Sequence, residues 1–154
     1  MGDPARVPAG RLGRRRGRQA AHQVGEIAGA PLALALEAGG GRIVYLSSVI
    51  GAQPGPGAAP YGGAKAAINI LANVVHQELA DDGIRTVAIA PGLTDTPGMR
   101  AIVGEEYIAR VAGQYAGGRD GQLGDIVALT AFLCSDAASH LSGTVITVRP
   151  PVYR

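Results

Sequence analysis

The chain has 154 residues, of which 47% are hydrophobic and 17% charged, with a formal net charge of +2. This length and composition predict one globular α/β domain with a real core. The single cysteine, Cys134, excludes an internal disulfide framework and fits a reducing compartment, so we expect a cytoplasmic protein. No apolar run approaches the roughly 18 residues that a membrane span requires, so we expect no membrane partner.

The basic charge is concentrated at the start of the chain. Residues 1–18 hold six of the fourteen basic residues and one of the twelve acidic residues, which leaves the remainder with a net charge of −3. We interpret residues 1–19 as a disordered basic tail and residues 20–154 as the folded domain. The run Arg14–Arg16 also allows a nucleic-acid patch, and the apolar stretch after it allows an export signal. A solvated tail is the favoured interpretation, so nucleic acid is not the favoured partner.

Alternating apolar runs and turn residues predict the elements of the domain in order. A helix over 20–38, broken or started near Pro31, ends at three glycines. The last helix is predicted to carry Cys134 in the core. The remaining elements are a buried strand over Ile43–Ser47, a long helix from Pro60 or Tyr61 to Ala80, a strand over Thr86–Ala90, a weak helical pattern over Met99–Ala116, a helix over Asp125–Ser135 and a strand over Gly143–Val148.

The long helix carries apolar residues on two of its sides. One stripe includes Leu71, Val75 and Leu79, and a second flank includes Ile70 and Val74. One side is expected to pack against the sheet, and the other side is expected to pack against a partner subunit. The sequence therefore predicts a homo-oligomer formed through the 62–80 helix.

Three residues around this helix form a plausible proton-transfer group. Ser48 follows the first strand, while Tyr61 and Lys65 lie one turn apart on one helix face. A tyrosine is a weak acid with an ordinary pKa of about 10, and a neighbouring ammonium favours its phenolate form. A serine hydroxyl can donate to a carbonyl oxygen on which negative charge develops. This group suits hydride addition to a C=O, with Tyr61 giving the proton.

Three segments of the chain resemble the short-chain dehydrogenase/reductase family. The first is Ser48 with Tyr61-Gly-Gly-Ala-Lys65, the second is Ile84–Gly98 with its Pro-Gly loop, and the third is Gly121–Val148. The resemblance implies the last three strands of a partial Rossmann-like, doubly wound parallel sheet with flanking helices. It implies an NAD(P)-dependent oxidoreductase that acts on CH-OH groups and interconverts a small-molecule alcohol and ketone, similar to a 3-oxoacyl reductase.

The same resemblance assigns the site residues. Ser48, Tyr61 and Lys65 would be catalytic. NAD or NADP would be held by Tyr61, Lys65, Pro91, Gly92, Leu93, Thr94 and Thr96.

The chain departs from the family at both ends, which favours a truncated domain. The Gly-rich turn of the family has its nearest counterpart in Gly13-Arg-Arg-Arg-Gly17-Arg-Gln19, which lacks the last glycine and a preceding strand. The family's catalytic Asn has no match, and Arg149-Pro150-Pro151 replaces the usual Asp-Gly-Gly. The choice between NAD and NADP stays open, because the family makes it in the part that is not matched.

These departures leave a second function class open. In this alternative the chain is a catalytically dead remnant that acts only as a structural or subunit-interaction module. Cofactor binding by the chain alone is expected to be poor.

The edge of Ile43–Leu46 that lacks a fourth strand is expected to make the chain self-associate. The three histidines have no ligand-like spacing, so no metal is predicted.

Overall fold

The structure of the chain, a computed structural model, describes residues 30–116 and 119–150. The predicted tail over 1–19 and residues 20–29 of the predicted first helix lie outside this range. The described residues form five helices and three strands: α1 (Ala30–Glu37), β1 (Gly41–Leu46), α2 (Ala59–Leu79), β2 (Ile84–Pro91), α3 (Pro97–Val103), α4 (Glu105–Ala112), α5 (Leu123–Leu133) and β3 (Thr144–Val148). Short 3₁₀ turns occur at Val49–Gly51, Ala80–Asp82 and Asp136–Ala138.

The three strands form one parallel sheet in the order β1-β2-β3. Leu46 pairs with Ile89, and Pro91 pairs with Val148, so the carboxyl ends of all three strands lie along the same edge. Helices cover both faces of the sheet, which confirms the predicted α/β class with a partial Rossmann-like sheet. Parallel strands need such helical crossovers, because a tight turn cannot join them.

Two apolar clusters form the core, one on each face of the sheet. On the face covered by α1 and α2, Val75, Leu79 and Ile84 are fully buried. On the face covered by α5, Val87 and Ile89 pack with Leu133. Each such side chain contributes about 1.5–3 kcal/mol by leaving water, so β2, which supplies residues to both clusters, is the centre of the domain.

Helix α2 is fixed to β2 by packing and by one polar contact. Pro60 lies in its first turn, where a missing backbone N–H costs little. Gly83, with φ of 72°, follows the helix in the left-handed conformation and turns the chain into β2. The buried Thr86 hydroxyl donates a hydrogen bond to the Ala72 carbonyl oxygen. The face of α2 that carries Ala72, Val75 and Leu79 is therefore held against the central strand.

Two expectations about burial are wrong. Cys134, predicted in the core, is exposed just after the end of α5. The predicted buried strand, β1, is only half-buried, and Leu46 at its end is 58% exposed. In both cases the apolar run is real, but neighbouring elements within the described residues cover only part of it. The weak helical pattern over Met99–Ala116 resolves into α3 and α4, which meet at Gly104.

Candidate active site

The predicted site residues lie at the edge formed by the carboxyl ends of the strands. Ser48 follows β1, the segment Pro91–Thr96 ends and follows β2, and Tyr61 and Lys65 lie in the first two turns of α2. Ligands of open parallel sheets bind at this kind of edge, because the loops there converge. The topology therefore brings every predicted site residue to one side of the domain.

Ser48 is held by the short turn that it starts. Its side chain is the N-cap of the 3₁₀ turn Val49–Gly51, where its oxygen accepts a hydrogen bond from the Ile50 N–H at 3.3 Å. The residue is only 8% exposed. Since a serine hydroxyl both accepts and donates, its O–H proton is still available to a carbonyl oxygen.

Tyr61 and Lys65 lie together as their spacing predicts. The Lys65 ammonium is 5.7 Å from the centre of the Tyr61 ring, within the range of a cation–π contact. The Lys65 Nζ also donates to the Leu46 carbonyl oxygen at 2.8 Å. The Tyr61 side chain is accessible to a ligand, because the residue is 52% exposed.

The contact with Leu46 sets where the ammonium lies. The N–H groups of Gly41 and Ser47 donate to the β2 side. Because backbone groups alternate along a strand, the carbonyl of Leu46 points to the opposite, open side of β1. Lys65 therefore reaches around the end of the strand that leads into Ser48.

Close backbone contact joins the serine turn to the helix. A Cβ on Gly51 would lie 2.8 Å from the Lys65 carbonyl carbon, and one on Gly62 would lie 3.2 Å from the Ile50 carbonyl oxygen. The Ser47 hydroxyl donates to the Lys65 carbonyl oxygen at 3.0 Å. The structure thus brings Ser48 onto the first turns of α2, which carry Tyr61 and Lys65. These contacts were not predicted from the sequence. Their only signal there is a glycine in each of the two segments, Gly51 in the serine turn and Gly62 in α2.

The loop after β2 is ordered by its own hydrogen bonds. The Gly92 N–H donates to the Val148 carbonyl oxygen at 2.9 Å, and the Gly121 N–H donates to that of Leu93 at 2.9 Å. The Thr94 hydroxyl donates to the Gly92 carbonyl oxygen at 3.2 Å. Thr96 caps α3, because its hydroxyl oxygen accepts from the Met99 N–H at 3.1 Å.

One ion-pair cluster fastens the same loop to the helices after it. The Arg100 guanidinium donates to both Asp95 oxygens, at 2.6 and 2.5 Å, and to Glu105 at 3.0 Å. The hydrogen bonds from Arg100 hold the pKa of Asp95 below its usual value. This cluster orients the end of the loop, and both of its carboxylates are already paired with a cation.

The loop after β2 retains one backbone donor that could hold a carboxamide, at Leu93. The Leu93 N–H has only a long contact, 3.4 Å, to the Tyr115 hydroxyl, and so can still donate to a carboxamide oxygen. The spacing of the family's Gly-rich turn recurs, unnoticed in the sequence, at Gly51, Gly55 and Gly57 between β1 and α2. That segment does not suit a pyrophosphate. Gly51 abuts the helix backbone, and the prolines on either side of Gly55 have no N–H to donate.

Two features are absent from the described residues. No group of three or more His, Cys, Asp or Glu side chains in this part of the chain is placed to hold a metal ion. Within the same residues, no helix is long and apolar enough to cross a membrane.

The three-stranded parallel sheet with helices on both faces is Rossmann-like. A family model described as enoyl-(acyl carrier protein) reductase matches residues 20–149. The chain belongs to the short-chain dehydrogenase/reductase family.

Curated relatives match the chain over part of their length. A tropinone reductase homolog of Arabidopsis thaliana is 36% identical over 110 residues, which is 71% of this chain and 41% of the relative. The 3-oxoacyl-(acyl-carrier-protein) reductase of Haemophilus influenzae is 34% identical over 113 residues, which is 73% of this chain and 46% of the relative. The chain therefore spans less than half the length of these relatives.

Two solved structures have the same fold over the matched region. A 7α-hydroxysteroid dehydrogenase complexed with NADH and 7-oxo glycochenodeoxycholic acid gives a TM-score of 0.68 at 32% identity, over 74% of this chain and 45% of that one. A short-chain dehydrogenase/reductase, glucose/ribitol dehydrogenase, of Brucella melitensis gives 0.64 at 31% identity, over 70% of this chain and 43% of that one.

Proposed function

We propose that this chain supplies the catalytic half of a cytoplasmic NAD(P)-dependent oxidoreductase that interconverts a small-molecule alcohol and ketone. The observation that carries the proposal is the position of the Lys65 ammonium, 5.7 Å from the centre of the Tyr61 ring and hydrogen-bonded to the end of the strand before Ser48. A 3-oxoacyl reductase among the relatives supports a ketone on an acyl chain as one substrate class.

In the proposed reaction, each residue acts on the substrate or on its neighbour. The Ser48 hydroxyl donates a hydrogen bond to the carbonyl oxygen, where negative charge develops during reduction. Tyr61 gives its phenolic proton to that oxygen, and in the reverse direction it takes the proton away. A nicotinamide cofactor, when bound, supplies or accepts the hydride.

Lys65 has the donors that its two roles require. An ammonium has three N–H groups, and the Leu46 carbonyl oxygen occupies one of them. The other two remain for the cofactor ribose, and the positive charge favours the phenolate form of a nearby tyrosine. On the cofactor side, Pro91, Gly92, Leu93, Thr94 and Thr96 would surround the nicotinamide.

The test joins this chain to the N-terminal half of a 3-oxoacyl reductase and measures ketone reduction. Tyr61→Phe removes the transferable proton and should lower kcat by about 10²–10⁴-fold, the usual contribution of general acid–base catalysis. Tyr107→Phe, at an exposed tyrosine of α4, is the matched control and should leave the rate unchanged. A fusion that reduces ketones equally well with Tyr61→Phe would exclude the assignment.

The chain alone should bind NAD(H) and NADP(H) poorly. The described residues contact only the nicotinamide end in this proposal, and they lack the Gly-rich turn at a helix N-terminus that holds the pyrophosphate of a dinucleotide. Isothermal titration calorimetry on the 154-residue chain is the direct measurement. Micromolar binding of NADH would require a pyrophosphate site that this proposal does not contain.

A second candidate function is a subunit-interaction module without catalysis. It is favoured by Ile70, which lies on the outer side of α2 and is 64% exposed. A homo-oligomer through residues 62–80 would cover this side chain. Sedimentation equilibrium should show association that Ile70→Glu weakens, whereas Ile102→Glu on α3, where Ile102 is 82% exposed, should not. Loss of association together with unchanged turnover in the fusion would separate the two functions.

A further inference from the structure

We propose that Arg149, with Arg119 lining the same pocket, binds an anionic group of the substrate, so that the ketone or alcohol carries a carboxylate or phosphate several bonds from its reacting carbon. The inference rests on the proposed oxidoreductase function and deepens it by naming the substrate class. It depends on a side chain at the position where the sequence departs from the family's usual Asp-Gly-Gly.

Arg149 lies across the carboxyl edge of the sheet. It follows β3 directly, and its stem passes so close to the loop after β2 that a Cβ on Gly92 would lie 2.7 Å from the Arg149 Cβ. Its Nη1 donates to the Gln53 side-chain oxygen at 3.2 Å. Gln53 belongs to the loop after β1, five residues beyond Ser48. One side chain thus extends from the third strand toward the loop that contains the catalytic serine.

This placement sets the distance between the two parts of the substrate. The Arg149 backbone lies two strands from β1, roughly 10 Å away, and its guanidinium covers part of that distance to reach Gln53. A substrate whose C=O lies at Ser48 and Tyr61 would therefore reach Arg149 with a group several bonds away. A short neutral ketone would leave the guanidinium with Gln53 as its partner and with no anion.

A pocket of about 250 Å³ lies at the end of β3, and Arg149 is one of its lining residues. Its walls come from the loop after β2, the start of α5 and the end of β3, and they carry two cations and one carboxylate. The lining residues are Thr94, Arg119, Gly121, Gln122, Asp125, Ile126, Val148, Arg149 and Pro150. The volume suits one small polar group rather than a whole ligand, as expected for a subsite.

The charges of this pocket favour an anion. Neither Arg119 nor Arg149 forms an ion pair with a carboxylate in the part of the chain that the structure describes. The carboxylate of Asp125 is already used, because it accepts the Gln122 N–H at 3.0 Å in the capping box of α5. A guanidinium presents several N–H groups in a plane that matches a carboxylate or phosphate. With Nη1 on Gln53, Arg149 keeps other donors for such a ligand.

The experiment compares one anionic ketone with its neutral ester on the full chain. Calorimetry at low salt measures the binding of 7-oxooctanoate and of methyl 7-oxooctanoate, in which a methyl group replaces the negative charge. We expect the acid to bind about tenfold more tightly, the value of one charge-assisted hydrogen-bonded contact. Inorganic phosphate should compete with the acid but not with the ester.

Four variants locate the effect. Arg149→Gln should remove the preference for the acid, while Arg149→Lys should keep part of it. Gln53→Glu should weaken binding of the acid, because the new carboxylate would pair with Arg149 and compete with the ligand. Arg42→Gln is the matched control, since Arg42 is paired with Asp136 and lines no part of the pocket. Thermal melting followed by circular dichroism establishes that each variant is folded.

Several results would overturn the proposal: no measurable binding of 7-oxooctanoate, equal binding of acid and ester, or a preference that survives Arg149→Gln. A further arm uses NADH. If Arg149→Gln weakens NADH but not 7-oxooctanoate, the anion at this pocket is a cofactor phosphate and the substrate assignment is wrong. Failure here is distinct from failure of the oxidoreductase proposal, because these measurements need no turnover and do not involve Tyr61.

Discussion

β1 and β2 are both short apolar strands, but they differ in how much of their surface is covered. β2 pairs with a strand on each side, and six of its eight residues are buried. β1 pairs only with β2 among the described residues, and none of its residues is fully buried. The number of neighbouring elements, rather than apolar composition, therefore decides how deeply each strand is buried.

The largest expected effect comes from truncating one isoleucine in each strand. Ile89 in β2 is 1% exposed and packs with Val87 and Leu133, whereas Ile43 in β1 is only partly buried. Ile89→Ala should lower the free energy of unfolding by about 2–5 kcal/mol. Ile43→Ala should lower it by about 1 kcal/mol, because part of its surface already faces water. Urea denaturation measures both values, and equal losses would contradict the difference between the strands.

The strands and helices of the described domain could largely be predicted from the sequence, whereas their burial could not. The apolar run at Ile43–Leu46 predicts a strand and the periodic pattern of α2 predicts a helix, and both are present in the structure. Nothing in the run itself tells whether one neighbour or two will cover it. The same holds for α5, which is apolar nearly all round: Leu133 on its inner side is buried, and Cys134 just beyond its end is exposed.

In the candidate site, too, some contacts could be predicted from the sequence and others could not. The spacing of Tyr61 and Lys65 predicted one helix face, and the structure has their side chains 5.7 Å apart, measured from the ammonium to the ring centre. The contact of Arg149 with Gln53 spans 96 positions of the chain and follows no periodic pattern. The only sign of this contact in the sequence is an arginine at a position where the family usually has an aspartate. Long-range polar contacts of this kind depend on the folded geometry and need the structure.

A smaller effect is expected from a buried polar contact that joins β2 to α2. Thr86→Val keeps the shape of the side chain and removes its hydrogen bond to the Ala72 carbonyl oxygen. We expect a loss of about 1 kcal/mol in the free energy of unfolding. Thr147→Val, at an exposed position of β3, is the matched control and should change it by less than about 0.5 kcal/mol. An unchanged stability in Thr86→Val would mean that packing alone fixes the helix to the strand.

The open side of β1 is expected to make the chain associate with itself. Lys65 occupies one outward carbonyl, that of Leu46, but the other outward backbone groups of β1 have no partner among the described residues. Leu46→Lys adds a charge beside this edge, which is how natural edge strands avoid pairing. Light scattering over a range of concentrations should show weaker association, by about tenfold or less in the dissociation constant. Leu34→Lys, at a similarly exposed leucine of α1, is the control.

A compact monomer at high concentration would contradict this expectation. It would mean that a segment outside the described residues covers the edge of β1. In that case Leu46→Lys and Leu34→Lys should both leave the light scattering unchanged.

The smallest effect concerns the loops that follow the two strands. The loop after β2 is fastened by Arg100 with Asp95 and Glu105, whereas no ion pair of the described residues involves the loop between β1 and α2. Hydrogen bonds from Arg100 lower the pKa of Asp95. The ionised form of this carboxyl group is therefore favoured more in the folded chain than in the unfolded one. Its stabilising effect is therefore present above the ordinary pKa of about 4 and is lost as the pH falls through the lowered value.

This sign predicts a local response to acid in the loop after β2 that has no counterpart after β1. The amide signals of α3 in NMR spectra should shift as the pH falls below about 4, while those of Val49–Gly51 should not. Asp95→Asn should give the acid spectrum of α3 already at pH 7, and high salt should move the wild type in the same direction, because exposed ion pairs are screened. Asp81→Asn, in the turn after α2, is the matched control. If α3 responds to acid in the same way with asparagine at position 95, then another group titrates, and the two loops differ for a reason other than this ion pair.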